Sequence, residues 1–284
     1  MAAAAPGTTP ANVPELLLDG RAEPMGRYLR ALWDSRQLVA TLARKDFFVR
    51  YRRASLGVLW AVGLPLLQAL VFTVIFTHVI KIRTGSSSYG AFVFAGMVPW
   101  SYFASTVSGA SSAVVDGSSM ASRIYFPRAV LPLVPVVANL YSLCITVTIL
   151  LVLCLVLGVH LGLALLLLPP AALLVAVLAA SLAMVNSALH VYFRDMKFLV
   201  QAVFAVWIYV TPVIYPLRLA PASLRTALQC NPMTGIVEMF RAATVGADPG
   251  WQVSLAATGV AMVVLVALAL FLHRRYDRLF TDLL

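Results

Sequence analysis

The sequence predicts an all-α polytopic membrane protein: six transmembrane helices, an N-terminal amphipathic interface helix, and two short external re-entrant helices between spans five and six. Three observations carry this. Of the 284 residues, 61% are hydrophobic and 11% charged, with a mean hydropathy of +0.91, too few charges to cover a soluble globule. Between Ala54 and Ile80 no Asp, Glu, Lys or Arg occurs, enough helix to cross a hydrocarbon layer of about 30 Å. Arg44, Lys45, Arg50, Arg52 and Arg53 cluster just before that stretch. Clustered cations stay in the cytoplasm, which starts the first span inside.

Residues 1–26 are small and proline-rich, without the basic start and apolar core of a signal peptide. They are expected to form a disordered cytoplasmic tail. Residues 27–53 are the interface helix. On a helical wheel Tyr28, Leu32, Val39, Leu42, Ala43 and Phe47 share one side. Arg27, Arg30, Asp34, Gln37, Thr41, Arg44 and Lys45 share the other, with Arg36 at the apolar edge. The pattern suits a helix lying in the membrane surface, and equally one packed on a protein partner.

The spanning region is 54–273. After the first span a Gly/Ser turn leads to a second uncharged stretch, 89–115, interrupted by Pro99. The internal loop 116–128 holds a short helix that Pro127 would end. The third span runs over 129–159, with Pro132 and Pro135 in its first turns. The fourth covers 163–189, where Pro169 and Pro170 kink the helix or mark its start. Arg194, Asp195 and Lys197 form the second internal loop. The fifth span is 198–217, the sixth 253–272, and residues 274–284 are a cytoplasmic tail. This threading leaves only Lys81, Arg83, Arg218, Arg225 and Arg241 outside among the 21 Lys and Arg residues, the bias that cytoplasmic termini require.

Residues 218–250 are too long for a tight turn and too apolar for a solvated loop. Leu224, Leu228, Met233, Ile236, Val237, Met239 and Phe240 recur with helical spacing, so two short helices split at Asn231-Pro232 are expected. They can dip into the membrane where protein or water supplies polar contacts. Glu238 and Arg241, three apart, would then pair. An exposed ion pair on a surface helix is the plainer alternative.

The formal charge of +10 does not point to nucleic acid, because the cations sit at helix ends and in short loops rather than along one polar face. They suit topology control and contacts to anionic membrane lipid or a cytoplasmic partner. Cys144 and Cys154 share an apolar stretch and Cys230 stands apart, so neither a disulfide framework nor zinc spacing exists. His78, His160, His190 and His273 are scattered at span ends. No catalytic set and no metal cluster is found. No G-x-x-x-x-G-K-[ST] loop occurs, so the cradle that holds ATP phosphates is missing and any ATP would be hydrolysed elsewhere.

Four stretches carry a resemblance: RYRRASLGVLWAVGLPLLQALVFTVIF, IYFPRAVLPLVPVVANL, VYFRDMKFLVQAVFAVWIYVTPVIYP and NPMTGIVEMFRAATVG. In this order and spacing, from about residue 28 to the end, the chain resembles the membrane subunit of ABC-2 transporters. The likeness is greatest to permeases that export lipid-linked polysaccharide of the O-antigen, capsule or wall teichoic acid type. The resemblance implies a homodimer in the bacterial inner membrane, bound to two ATPase subunits that hold ATP and Mg. It implies a coupling helix at about 117–126, with Gly117, Ser118, Ser119, Arg123, Tyr125 and Phe126 docking into the ATPase. It also implies external gate helices at about 221–245, which contain Glu238 and Arg241.

A lipid-linked glycan substrate needs a site for its headgroup and a path for its sugars. Arg50, Arg52 and Arg53 are candidates to attract a diphosphate, or to anchor anionic lipid instead. A sliding glycan needs many weak sites, and aromatic faces supply them by stacking on the apolar side of sugar rings. The candidates are Trp60, Trp100, Tyr102, Phe103, Phe204, Trp207 and Tyr209; an aromatic belt at the membrane interface is the alternative. Rival functions are an ABC-2 exporter of a small hydrophobic compound, which would favour a dry aliphatic pocket, and an intramembrane enzyme or channel. The latter predicts ionisable groups within the spans, where only histidines near the ends occur.

Overall fold

The computed structural model describes residues 24–52, 57–75, 88–117, 126–246 and 250–276. Among them are eleven α-helices and no strand: α1 (Met25–Asp34), α2 (Arg36–Tyr51), α3 (Trp60–Val74), α4 (Tyr89–Ala110), α5 (Ala113–Asp116), α6 (Val130–Val156), α7 (Leu168–Tyr192), α8 (Met196–Val210), α9 (Ala222–Gln229), α10 (Pro232–Thr244) and α11 (Trp251–Tyr276). Three helical stretches are long and apolar enough to cross a membrane: Val130–Val156, Leu163–Tyr192 and Trp251–Arg274. Gly63–Val74 and Met196–Val210 are shorter apolar helices.

The fold is built around α4. Every residue from Ala91 to Trp100 is buried, because α4 packs on α3, α6, α7, α8 and α10. Pro99 lies inside this helix without ending it. Ser101 and Ser105 turn their hydroxyls back to the carbonyls of Met97 and Ser101, a local pairing that lets a polar side chain sit in an apolar helix.

Prolines set several boundaries. Pro169 and Pro170 fall in the first turn of α7 and start it, where a missing N–H costs nothing. The fifth predicted span is corrected: α8 runs Met196–Val210, 15 residues, not to 217. Thr211 precedes Pro212 and takes an extended conformation, φ −94° and ψ 133°, since the proline ring disfavours the helical region there.

The interface helix is likewise two helices. Ser35 separates α1 from α2, and its hydroxyl donates to the Ala31 carbonyl at 2.8 Å. Their apolar face packs on the chain's own bundle. Tyr28 lies with Ala129, Met184, Val185 and Ala269, and Ala43 and Phe47 lie with Ala138. The start of α6 and the ends of α7 and α11 therefore share one end of the bundle with α1 and α2. The starts of α4 and α11 share the other end with α10.

The tightest crossing there is between α10 and α11. A Cβ on Gly235 would lie 2.5 Å from Thr258 Oγ1 and 2.6 Å from the Ser254 carbonyl oxygen. Gly235→Ala is expected to cost about 1–3 kcal/mol by overpacking, read as a lower midpoint of thermal unfolding in detergent; an unchanged midpoint would show that the crossing relaxes freely.

Candidate functional site

Among the described residues, two polar features of the apolar bundle hold residues singled out from sequence. One is a groove of about 320 Å3 where the end of α2 meets α3, α4 and α6. Arg50 stands in it, with Nη1 donating to Asn139 Oδ1 at 2.8 Å and Nη2 to Asp46 Oδ2 at 2.8 Å. Asn139 is buried and its amide donates to Thr106 Oγ1 at 3.1 Å. The Arg50–Asp46 pair is half-exposed, and an i,i+4 pair of that kind contributes about 0.3–0.5 kcal/mol, so Asp46 is easily displaced.

Asn139, Ser142 and Thr146 lie at i, i+3 and i+7 on α6, one stripe of a helix, and all three line the groove. Ser101 and Ser105 face them from α4 and Gln68 from α3. Of the residues singled out from sequence, the groove gathers Arg50, Trp60, Trp100 and Tyr102. The α6 and α4 polar residues were missed; a three-residue polar stripe in an apolar span was the signal.

The aromatic candidates divide. Trp100, Phe103, Phe204 and Trp207 form one cluster joining α4 to α8, with ring centroids 5.3 to 6.4 Å apart. Phe103 and Phe204 are buried inside the chain. Tyr102 is also buried and donates to the Val136 carbonyl at 3.1 Å. Trp60 and Tyr209 are 44% and 58% exposed, and Trp207 is partly exposed. Arg52 is exposed at the end of α2. Gly117 follows α5, with Leu131 against its backbone. Phe126 packs on Val39, Val114 and Val130. Arg53, Ser118, Ser119, Arg123 and Tyr125 lie outside the described residues.

The second feature is at the other end of the bundle. Helices α9 and α10 meet at Asn231-Pro232, where Asn231 caps α10 by accepting from the Met233 N–H at 3.1 Å. Its amide also donates to Thr211 Oγ1 at 2.9 Å, and Trp207 Nε1 donates to its oxygen at 3.3 Å. Helix α10 is buried almost throughout, while α9 is largely exposed. Glu238 and Arg241 have no exposed surface, so they are not the surface pair of the plainer expectation.

Arg241 Nη1 donates to Glu238 Oε1 at 2.7 Å, and Nη2 donates to the Val213 carbonyl at 2.6 Å. Its Cζ lies 3.7 Å from the Phe92 ring centroid, a cation–π contact. Gly96 makes room, since a Cβ there would come within 2.9 Å of Nη2. Removing one partner of a buried pair strands the other's charge. Arg241→Ala is therefore expected to cost about 3–5 kcal/mol, read as thermal unfolding in detergent. The double variant Glu238→Leu with Arg241→Met should recover most of that loss, and a double variant as unstable as the single one would refute the electrostatic cause.

Comparison with known proteins shows the family. The family described as "ABC-2 type transporter" matches residues 37–245. The O-antigen export system permease protein RfbA of Myxococcus xanthus is 32% identical over 220 residues, 77% of this chain and 84% of that protein. Two proteins of the same name from Klebsiella pneumoniae are 28% and 27% identical over 206 residues, 72% of this chain and 78% of each relative. The matched region is a membrane domain, the part of such a transporter that carries substrate rather than hydrolysing ATP. The chain belongs to the ABC-2 type transporter family, as a multi-pass membrane permease.

Proposed function

We propose that this chain is the permease subunit of an ATP-driven exporter that moves a lipid-linked polysaccharide, of O-antigen, capsular or teichoic-acid type, from the cytoplasmic side across the bacterial inner membrane. The observation that carries this is the polar groove, which sets Arg50 beside hydroxyl and amide groups inside an apolar bundle. Such a lining suits a phosphate and sugars and argues against the dry pocket that a small hydrophobic compound would favour. The names of the relatives, O-antigen export permeases, support the glycan reading.

In this proposal α3, α4, α6, α7, α8 and α11 are the six spans, with both termini cytoplasmic. The gathering of α1, α2 and the ends of α7 and α11 at one end of the bundle supports that threading. Two copies of the chain enclose the path and two ATPase subunits, holding ATP and Mg, dock at residues 117–126. Nucleotide-driven closure of those subunits moves the spans as rigid bodies. Arg50, Arg52 and Arg53 receive the headgroup, and α9 and α10 with Glu238 and Arg241 close the external mouth. Both chain ends, within residues 1–26 and 274–284, lie on the cytoplasmic side.

Trp60 is the cleanest probe of the sugar path, because its ring is open while Trp100 is a packing member of the α4–α8 cluster. Vesicles holding the chain and its ATPase are expected to export lipid-linked glycan only with ATP, and Trp60→Ala to cut the rate at least threefold at equal protein level. Export without the ATPase would refute the proposal, and unchanged export by Trp60→Ala would remove that ring from the path.

A further inference from the structure

We infer that the groove between α3, α4 and α6 is a headgroup-reading site within a single protomer: Arg50 takes the phosphate of a lipid-linked glycan, and the α6 stripe Asn139, Ser142 and Thr146 takes its first sugars. The inference rests on the export reading and adds the division of the groove, with Arg50 for the phosphate and the α6 stripe for the first sugars. Helix α6 contributed nothing to the candidates drawn from sequence.

The chemistry runs in one direction along the groove. Arg50 and Asn139 are hydrogen-bonded at one point, and Thr146 lies seven residues further along α6, about 10 Å at 1.5 Å per residue. A guanidinium has five N–H donors in a planar fork, and a phosphate replacing Asp46 would be held by charge-assisted bonds. Asp46 is the carboxylate at that edge, and it opposes an anion until it is displaced.

Beyond Arg50 the lining changes from charge to hydroxyl. The Ser101, Ser105 and Thr146 hydroxyls each donate to a carbonyl of their own helix, which leaves their oxygens as acceptors for sugar hydroxyls. Ser142 Oγ is buried without a hydrogen-bond partner, a costly state inside an apolar bundle unless a ligand completes it. Trp60 and Trp100 supply aromatic surface to the same groove. On the open flank of α3, Leu64, Leu67, Leu70, Val71 and Val74 are exposed, an apolar track along which a prenyl or acyl tail can stay in lipid. At about 320 Å3 the groove is at the lower end of small-ligand sites. It fits a short saccharide and not a polymer, so it reads the start of the glycan.

Binding to the purified complex of this chain with its ATPase tests the inference, with Trp60 and Trp100 fluorescence as readout. Three probes separate the sources of the same anionic chemistry: a prenyl diphosphate bearing one N-acetylhexosamine, the same prenyl diphosphate without sugar, and phosphatidylglycerol. The sugar-bearing probe is expected to bind about tenfold more tightly than the bare diphosphate, and both more tightly than phosphatidylglycerol. Ser142→Ala with Thr146→Val should bring the first affinity down to the second and leave the second unchanged. Arg50→Gln should weaken both at least tenfold.

Equal affinity for the two prenyl probes in the natural sequence would overturn the inference even if the α6 variant failed to fold. So would phosphatidylglycerol binding as tightly as either. ATP-driven export is measured on the same preparation. Selective binding without export would leave the site standing and refute the export reading; export without selective binding would do the reverse.

Discussion

A polar group inside a bilayer has only protein to bond to, and each one left over costs free energy. That constraint arranges most of this molecule. Thr73, Ser101, Ser105, Ser111, Thr146, Thr148, Ser181 and Thr244 each return a hydroxyl to the carbonyl four residues earlier. Asn231 serves α10, Thr211 and Trp207 at once. Arg241 is held by a carboxylate, a carbonyl and a ring. The bundle tolerates its polar residues by consuming them internally. Ser142 Oγ, Ser254 Oγ and His190 Nδ1 are buried without a hydrogen-bond partner among the described residues, and of these Ser142 lines the groove.

Local chemistry made much of the fold legible in the sequence. Prolines announced the start of α7 and the division of α9 from α10, and the i,i+3 spacing of Glu238 and Arg241 announced their pair. The clean apolar runs of α6, α7 and α11 announced long spans. What local pattern could not show was which side of a helix meets which neighbour. The apolar face of α1 and α2 packs on the chain's own α6, α7 and α11, where the wheel left membrane surface and protein partner open. Phe103 and Phe204 read as ring faces for a substrate because an aromatic residue has the same letters in a core and in a channel. The α6 polar stripe was a legible signal, but the groove it lines exists only where three helices and the end of a fourth converge.

The two polar features are joined through α4. Phe92 and Gly96 in its first half form the seat of Arg241. Trp100 in its middle packs against Phe204 and Trp207 of α8, and Trp207 in turn bonds to Asn231 at the start of α10. Ser101 and Ser105 then turn to the groove on the side shared with α6. Close-packed interiors do not deform continuously, so a shift at one point moves packed elements together. Helix α4 thus touches both features, the groove through Ser101 and Ser105 and the buried pair through Phe92 and Gly96.

Different demands fall on the two features. The pair at Glu238 and Arg241 is fully desolvated and braced by backbone, so breaking it is costly. Any movement of α10 is therefore expected to carry these braces with it rather than to part the pair. At the groove, the Arg50–Asp46 contact is exposed and weak, suited to exchange one anion for another. A transporter needs this asymmetry. On the export reading proposed above, substrate is taken up and released by contacts that turn over easily, while a seal at α10 would rest on contacts that do not.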